Sequence, residues 1–201
     1  MAKAKVVVLI SGQAATGKST LGRALARKLG VRYYSGGEAL MSIARRMGYD
    51  ARGRKWWDTP EGMKFLAERE ANFEFDRMVD QELMRIAEER SSVIDSWVLP
   101  WLMDSGYKIW LKASLEVRAR RLATRGKMPL EEALKVLKER EERNKSLYRE
   151  IYGIRWGEDM EPFHLVLDTT DLQKEDVLGV ALSAVRSYVR SRSRSSSRVP
   201  F

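Results

Sequence analysis

VVVLISGQAATGKSTLGRALARKL, residues Val6 to Leu29, opens with an apolar, β-branched run from Val6 to Ile10 that reads as a buried strand. It closes with the apolar spacing of an amphipathic helix from Ser19 to Leu29. Between them, Gly12, Gly17, Lys18 and Ser19 fill the spacing G-x-x-x-x-G-K-S of a phosphate-binding loop. In such a loop successive backbone N–H groups face a polyphosphate, and the positive end of the following helix adds to the field. The phosphate cradle is therefore Gly12, Gln13, Ala14, Ala15, Thr16, Gly17, Lys18, Ser19 and Thr20. Within it Lys18 reaches the outer phosphates, the Ser19 hydroxyl ligates Mg²⁺, and Thr20 hydrogen-bonds the next phosphate inward.

Outward from this stretch the chain alternates. Val31–Tyr34, Ser92–Trp97, Tyr107–Lys112 and Phe163–Asp168 read as strands. Helices are expected from Ser35-Gly36-Gly37-Glu38 to Met47, from Thr59-Pro60-Glu61 to Arg90 with a break near Asn72, after the Ser114 cap, from Pro129 to Arg149, and from Asp176 to Val189. This order predicts an α/β fold, a parallel sheet flanked by helices. The expected organisation is a single domain, 1–189, with a basic Ser/Arg tail, 190–201, that is too polar to fold.

The 201 residues are 44% hydrophobic and 32% charged, enough for one full core. No apolar run approaches membrane-spanning length and no signal-peptide core precedes the first strand, so a cytoplasmic protein with no membrane partner is expected. The absence of cysteine excludes disulfides and thiolate catalysis, and the single His164 excludes a histidine metal cluster. His164, beside an apolar run, is expected to pack at a rim. Of the net charge of +9, five units come from the arginines between Arg186 and Phe201, where there is no acid. That tail suits weak attachment to a nucleic acid and equally a role in solubility.

Phosphoryl transfer needs a donor cradle, cations over the migrating group and an oriented acceptor. Arg118, Arg121 and Arg125 line one side of a helix and form a candidate lid over the outermost phosphate, with Arg140 and Arg143 behind. The competing reading is a solvated basic helix. Asp95 ends the strand SVID, and ligands of parallel sheets bind beyond the carboxyl ends of strands. There it serves as a metal carboxylate, as a base for an acceptor hydroxyl, or as a turn cap. Trp56, Trp57, Trp97 and Trp101 wall an acceptor or pack in the core.

The residues resemble the archaeal-type cytidylate kinases up to about Val189. The resemblance is carried by the phosphate loop, SGGE at Ser35–Glu38, FDRMVD, KIWLKASLEVRARRLATR, KEREERNKSLYREIYGI and LVLDTTD. It implies a P-loop kinase fold of the nucleoside monophosphate kinase type, with an acceptor-binding region at about 36–90 and a lid at about 118–145. It also implies ATP and Mg²⁺ as cofactors and a small-molecule acceptor; the chain itself is expected to be a monomer or homodimer. Lys18, Ser19, Arg118, Arg121 and Arg125 carry over as donor and transition-state groups. Ser35, Glu38, Asp76, Asp80, Trp97 and Arg140 are the candidate acceptor contacts. Three family arginines are replaced, by Met41, by Trp97 in Asp95-Ser96-Trp97, and by Leu147, and a family glutamate by Asn144. Each lost charge-assisted contact is worth about 1.5–3 kcal/mol.

The expected function is an ATP- and Mg²⁺-dependent transfer to a CMP- or dCMP-like monophosphate. The alternatives are transfer to a hydroxyl of a metabolite, nucleoside or RNA, and a non-catalytic nucleotide-binding switch or RNA-binding protein. Asn144-Lys145-Ser146-Leu147 lacks the aspartate of guanine-reading loops, which disfavours a GTPase.

Overall fold

A computed structural model of the chain describes residues 5–52, 61, 64–65 and 73–196. β1 (Val7–Gly12) is buried along its whole length. It lies between β3 (Ser92–Asp95) and β4 (Tyr107–Lys112), with β2 (Arg32–Ser35) and β5 (Leu165–Asp168) outside them. The sheet order is β2-β3-β1-β4-β5, and every pairing is parallel. Parallel strands require crossovers, so both faces of the sheet carry helices.

Alternation along β1 sends its side chains to two cores. Val7 and Leu9 pack with α2 (Gly36–Arg46), α3 (Glu74–Glu89) and α4 (Leu99–Leu102). Val8 and Ile10 pack with α1 (Lys18–Leu29) and α7 (Lys174–Ser196). α5 (Leu115–Gly126) and α6 (Leu130–Tyr152) pair over Ala119, Leu122, Ala133 and Leu137, beside the loop residue Ala14.

Local signals explain the helix ends. Ser35 Oγ accepts from Glu38 N at 3.3 Å and starts α2, and Ser114 Oγ accepts from Val117 N at 3.3 Å and starts α5. α6 stops at Gly153, which turns left-handed at φ +69°. The Trp56-Trp57 pair, the Thr59-Pro60 helix start and the break near Asn72 lie outside the described residues.

One boundary differs from the composition-based reading. α7 runs on to Ser196, past Val189, where an unfolded tail was expected to begin. Composition does not register one-turn contacts. The Arg192 guanidinium donates to the Tyr188 hydroxyl and lies 5.4 Å from its ring, and Arg190 donates to Ser187 Oγ at 3.0 Å. Arginines at a helix C-terminus also favour its dipole. Among the described residues no helix is long and apolar enough to cross a membrane.

His164 packs at the rim. Its Nδ1 accepts from Lys108 N at 3.1 Å, its N donates to Lys108 O at 3.0 Å, and its ring stacks on Tyr107 and meets the edge of Tyr188. Partial burial lowers its pKa below the ordinary value, and Lys108 and Arg192 push the same way. The neutral ring is thus the folded form, so its stabilisation is full above about pH 6.5 and is lost as pH falls through that range. In urea titrations at pH 7.5 and 5.5, His164→Asn, which keeps an acceptor but does not titrate, should lose less stability on acidification than the parent chain.

Candidate active site

The parallel register brings four strand ends to one edge. Ile10 pairs with Asp95, Ser35 with Asp95, and Gly12 with Leu111. At this edge β1 turns into the phosphate loop. Gly12 has φ +138°, and a β-carbon there would stand 2.1 Å from Leu111 O, so only glycine passes. Gln13 then fastens the loop to β4, its N donating to Leu111 O at 3.1 Å and its Oε1 accepting from Ala113 N at 3.3 Å. Positive φ recurs at Ala15, +62°, and at Gly17, +99°, curling the backbone as an anion nest requires. For Ala15 the left-handed region costs about 1 kcal/mol. The curl is braced inside by Thr16 Oγ1 donating to Gln13 O at 2.8 Å, and outside by Thr169 Oγ1 donating to Thr16 O at 3.3 Å.

Lys18 begins α1 with its Nζ turned back to the loop, 2.7 Å from Gly12 O and 2.9 Å from Gln13 O. Nζ also lies 4.6 Å from the centre of the Trp97 ring. Burial pushes the ammonium down to about 8; Asp95 and Glu141 oppose this, and Arg140 and Arg118 reinforce it. These charges thus surround the loop. The next residue, Ser19, donates to Asp95 Oδ2 at 2.8 Å, and the Tyr33 hydroxyl reaches the same oxygen at 3.2 Å. Burial, and then Asp95, raise the pKa of Tyr33, which keeps it a donor. The Ser19 hydroxyl and Asp95 carboxylate are hard oxygen ligands in contact with each other. Among the described residues no cluster of three or more acids or histidines could hold a metal. Such a pair fits Mg²⁺, which takes one or two protein ligands and completes its shell with phosphates and water.

The three candidate lid arginines differ in burial and in partner. Arg118 is only 3% exposed; its Nε donates to Ala113 O at 3.0 Å and its Nη1 is ion-paired with Glu141 of α6. Arg121 donates to Thr169 Oγ1 at 3.0 Å and Thr169 O at 2.6 Å, joining α5 to the residue that braces Thr16. Arg125 is exposed in the last turn of α5. Arg140 is exposed on α6 and close enough to act on Lys18.

Of the residues expected to contact an acceptor, Ser35 caps α2, and Glu38 makes a half-exposed ion pair with Arg23 of α1 at 2.7 Å. Asp76 and Asp80 are buried on the inner face of α3, and the Tyr152 hydroxyl donates to Asp80 Oδ2 at 2.8 Å. On the same helix Arg77 pairs with Glu74, and Arg85 with Glu82 and Glu89. Burial, then Asp80, raise the pKa of Tyr152. Met41 is buried in the α2–α3 core. Trp97 and Leu147 share one aromatic cluster with Trp110, Tyr148 and Trp156. Asn144 Nδ2 donates to Arg140 O at 2.6 Å, within α6.

Sequence reasoning missed Tyr33, Glu141, Tyr152, Trp156 and Thr169. Thr169 lies inside the quoted LVLDTTD, which was the available signal. The others meet their partners across 23 to 72 residues, for example Arg118 with Glu141 and Asp80 with Tyr152.

The profile of the cytidylate kinase-like family matches residues 7–171. The chain belongs to that family. It is 36% identical over 179 residues to the cytidylate kinase of Pyrobaculum aerophilum, covering 88% of this chain and 91% of that one. To the cytidylate kinase of Haloarcula marismortui it is 34% identical over 186 residues, covering 91% of each. The shikimate kinase of Acinetobacter baumannii superposes with a TM-score of 0.57 at 20% identity, over 92% of this chain and 96% of that one, which shows the shared fold. This member of the cytidylate kinase-like family is a P-loop kinase, with the donor loop assembled as described above.

Removing one partner of a buried ion pair leaves the other charge uncompensated. Arg118→Met and Glu141→Gln should each destabilise the chain by about 3 kcal/mol in urea unfolding. The double variant Arg118→Met/Glu141→Leu should recover most of that loss.

Proposed function

We propose that this chain transfers the γ-phosphoryl of ATP, with Mg²⁺, to a nucleoside monophosphate of the CMP or dCMP type. The observation that carries this reading is the meeting of Lys18, Ser19 and Asp95 at one sheet edge, in a chain whose relatives named cytidylate kinase match about nine-tenths of its length. In this reading the loop N–H groups and Lys18 take the outer phosphates. Ser19 and Asp95 hold Mg²⁺, which neutralises charge on the phosphates when bound. Arg140, close enough to act on Lys18, adds positive charge. An acceptor phosphate is already ionised, so no base is needed.

A second reading is favoured by Trp97 and Leu147, which stand in place of two family arginines and pack into one aromatic cluster instead of supplying a cation of their own to an acceptor phosphate. The acceptor is then an unphosphorylated hydroxyl compound, and Asp95 takes its proton.

An ADP-release assay with MgATP, run against CMP, dCMP and UMP and separately against cytidine and other hydroxyl compounds, decides between the two. Stimulation by a monophosphate supports the first reading; stimulation only by a hydroxyl compound overturns it. In either case Lys18→Ala should lower turnover by at least about 10³-fold, the scale of losing a principal electrostatic group, with an unchanged circular dichroism spectrum. Retained turnover would remove the mechanism. Asp95→Asn separates the roles. If Asp95 only assists the metal, raised Mg²⁺ should restore much of the lost rate; if it is the base, the rate should stay down about 10²–10⁴-fold at any Mg²⁺ concentration.

A further inference from the structure

Trp97 touches both halves of the site. Its backbone carbonyl accepts from Ser11 Oγ of β1 at 2.7 Å and from the indole Nε1 of Trp156 at 3.0 Å. Its ring is tilted against that of Trp156, centroids 5.0 Å apart. Trp156 is 2% exposed and also meets Trp110, so the indole of Trp97 is backed by a packed aromatic wall. In front of the ring stands the Lys18 ammonium, 4.6 Å from its centre, within range of a cation–π interaction. Among the described residues no carboxylate lies within ion-pair distance of Nζ. Asp95, the acid that acts most strongly on it, is hydrogen-bonded to Ser19 and Tyr33. Two of the three ammonium donors go to Gly12 O and Gln13 O, and the aromatic face adds a close attractive contact to the longer-range pull of Asp95 and Glu141.

We propose that Trp97 is the positioning residue for Lys18: its indole face holds the ammonium at the mouth of the phosphate loop, and its stacking on Trp156 ties that position to the acceptor wall. The two carbonyl hydrogen bonds can be exchanged for phosphate oxygens while the ammonium stays over the ring. An arginine at position 97 would repel Lys18 across the same distance, whereas the indole attracts it without adding charge. The proposal rests on the kinase reading only for its nucleotide-binding arm.

The first test needs no ligand. Trp97→Leu, Lys18→Met and the double variant are compared by urea unfolding. A cation–π contact should make the double variant's effect on the unfolding constant differ from the product of the single effects by about threefold or more. Multiplicative effects would overturn the proposal. The second test is MgATP affinity by titration calorimetry. Trp97→Leu should weaken it about tenfold, and Trp97→Phe, which keeps an aromatic face, should stay within about threefold of the parent. Equal losses in the Leu and Phe variants would show a merely structural role and overturn the proposal. So would a Trp97→Leu effect that persists undiminished in the Lys18→Met background. If the parent chain binds no MgATP, the proposed function falls, and the unfolding cycle still decides the role of Trp97.

Discussion

The carbonyl of Leu111 occupies the place where a β-carbon at position 12 would stand, and the site depends on that close crossing. Because β1 passes so near β4, the loop after Gly12 can be tied to β4 through both the backbone and the side chain of Gln13. With its start fixed, the loop curls through Ala15 and Gly17, and α1 begins with Lys18 folded back over the curl. The same parallel register places Asp95 alongside the turn, so the Ser19 hydroxyl meets a carboxylate as α1 begins. Had β1 been an edge strand, only one of these partners would have been available.

A second set of contacts ties the outlying helices to the loop. Thr169 receives Arg121 from α5 and donates to Thr16, so one side-chain hydroxyl joins the end of β5, the arginine helix and the phosphate loop. Arg118 and Glu141 lock α5 to α6, and Tyr152 at the end of α6 reaches the buried Asp80 of α3. Charged groups that composition suggests are solvated therefore lie inside, each with a partner. Taking away one partner of such a buried pair costs more than replacing both by apolar groups.

The donor half was legible because its chemistry is local. Glycine spacing, the following lysine and serine, and the preceding apolar strand are contiguous, and the backbone conformation they demand is nearly independent of the rest of the chain. Caps at Ser35 and Ser114 were readable for the same reason. The surroundings of the candidate acceptor residues were less so. Asp76 and Asp80 were recognisable as an i, i+4 pair, but helical spacing does not say whether the shared face meets solvent or Tyr152. Trp97 was a candidate wall, yet its place over Lys18 depends on Trp156, 59 residues away. At Val189 composition pointed to an unfolded tail, whereas one-turn contacts of Tyr188 and Arg192 lie within the helix as it continues to Ser196.

By itself the sequence determined the phosphate loop, the alternation of strands and helices, and the membership of a kinase family. Each of these is written in short-range patterns of side-chain volume, polarity and glycine placement. Only the tertiary structure decided which distant groups meet: Ser19 with Asp95 across 76 residues, Arg118 with Glu141, Trp97 with Trp156 and Lys18. The reason is physical. Local propensity constrains one residue's backbone, but strand register and helix docking are collective outcomes of burying the two faces of one sheet, and they set the distances between side chains.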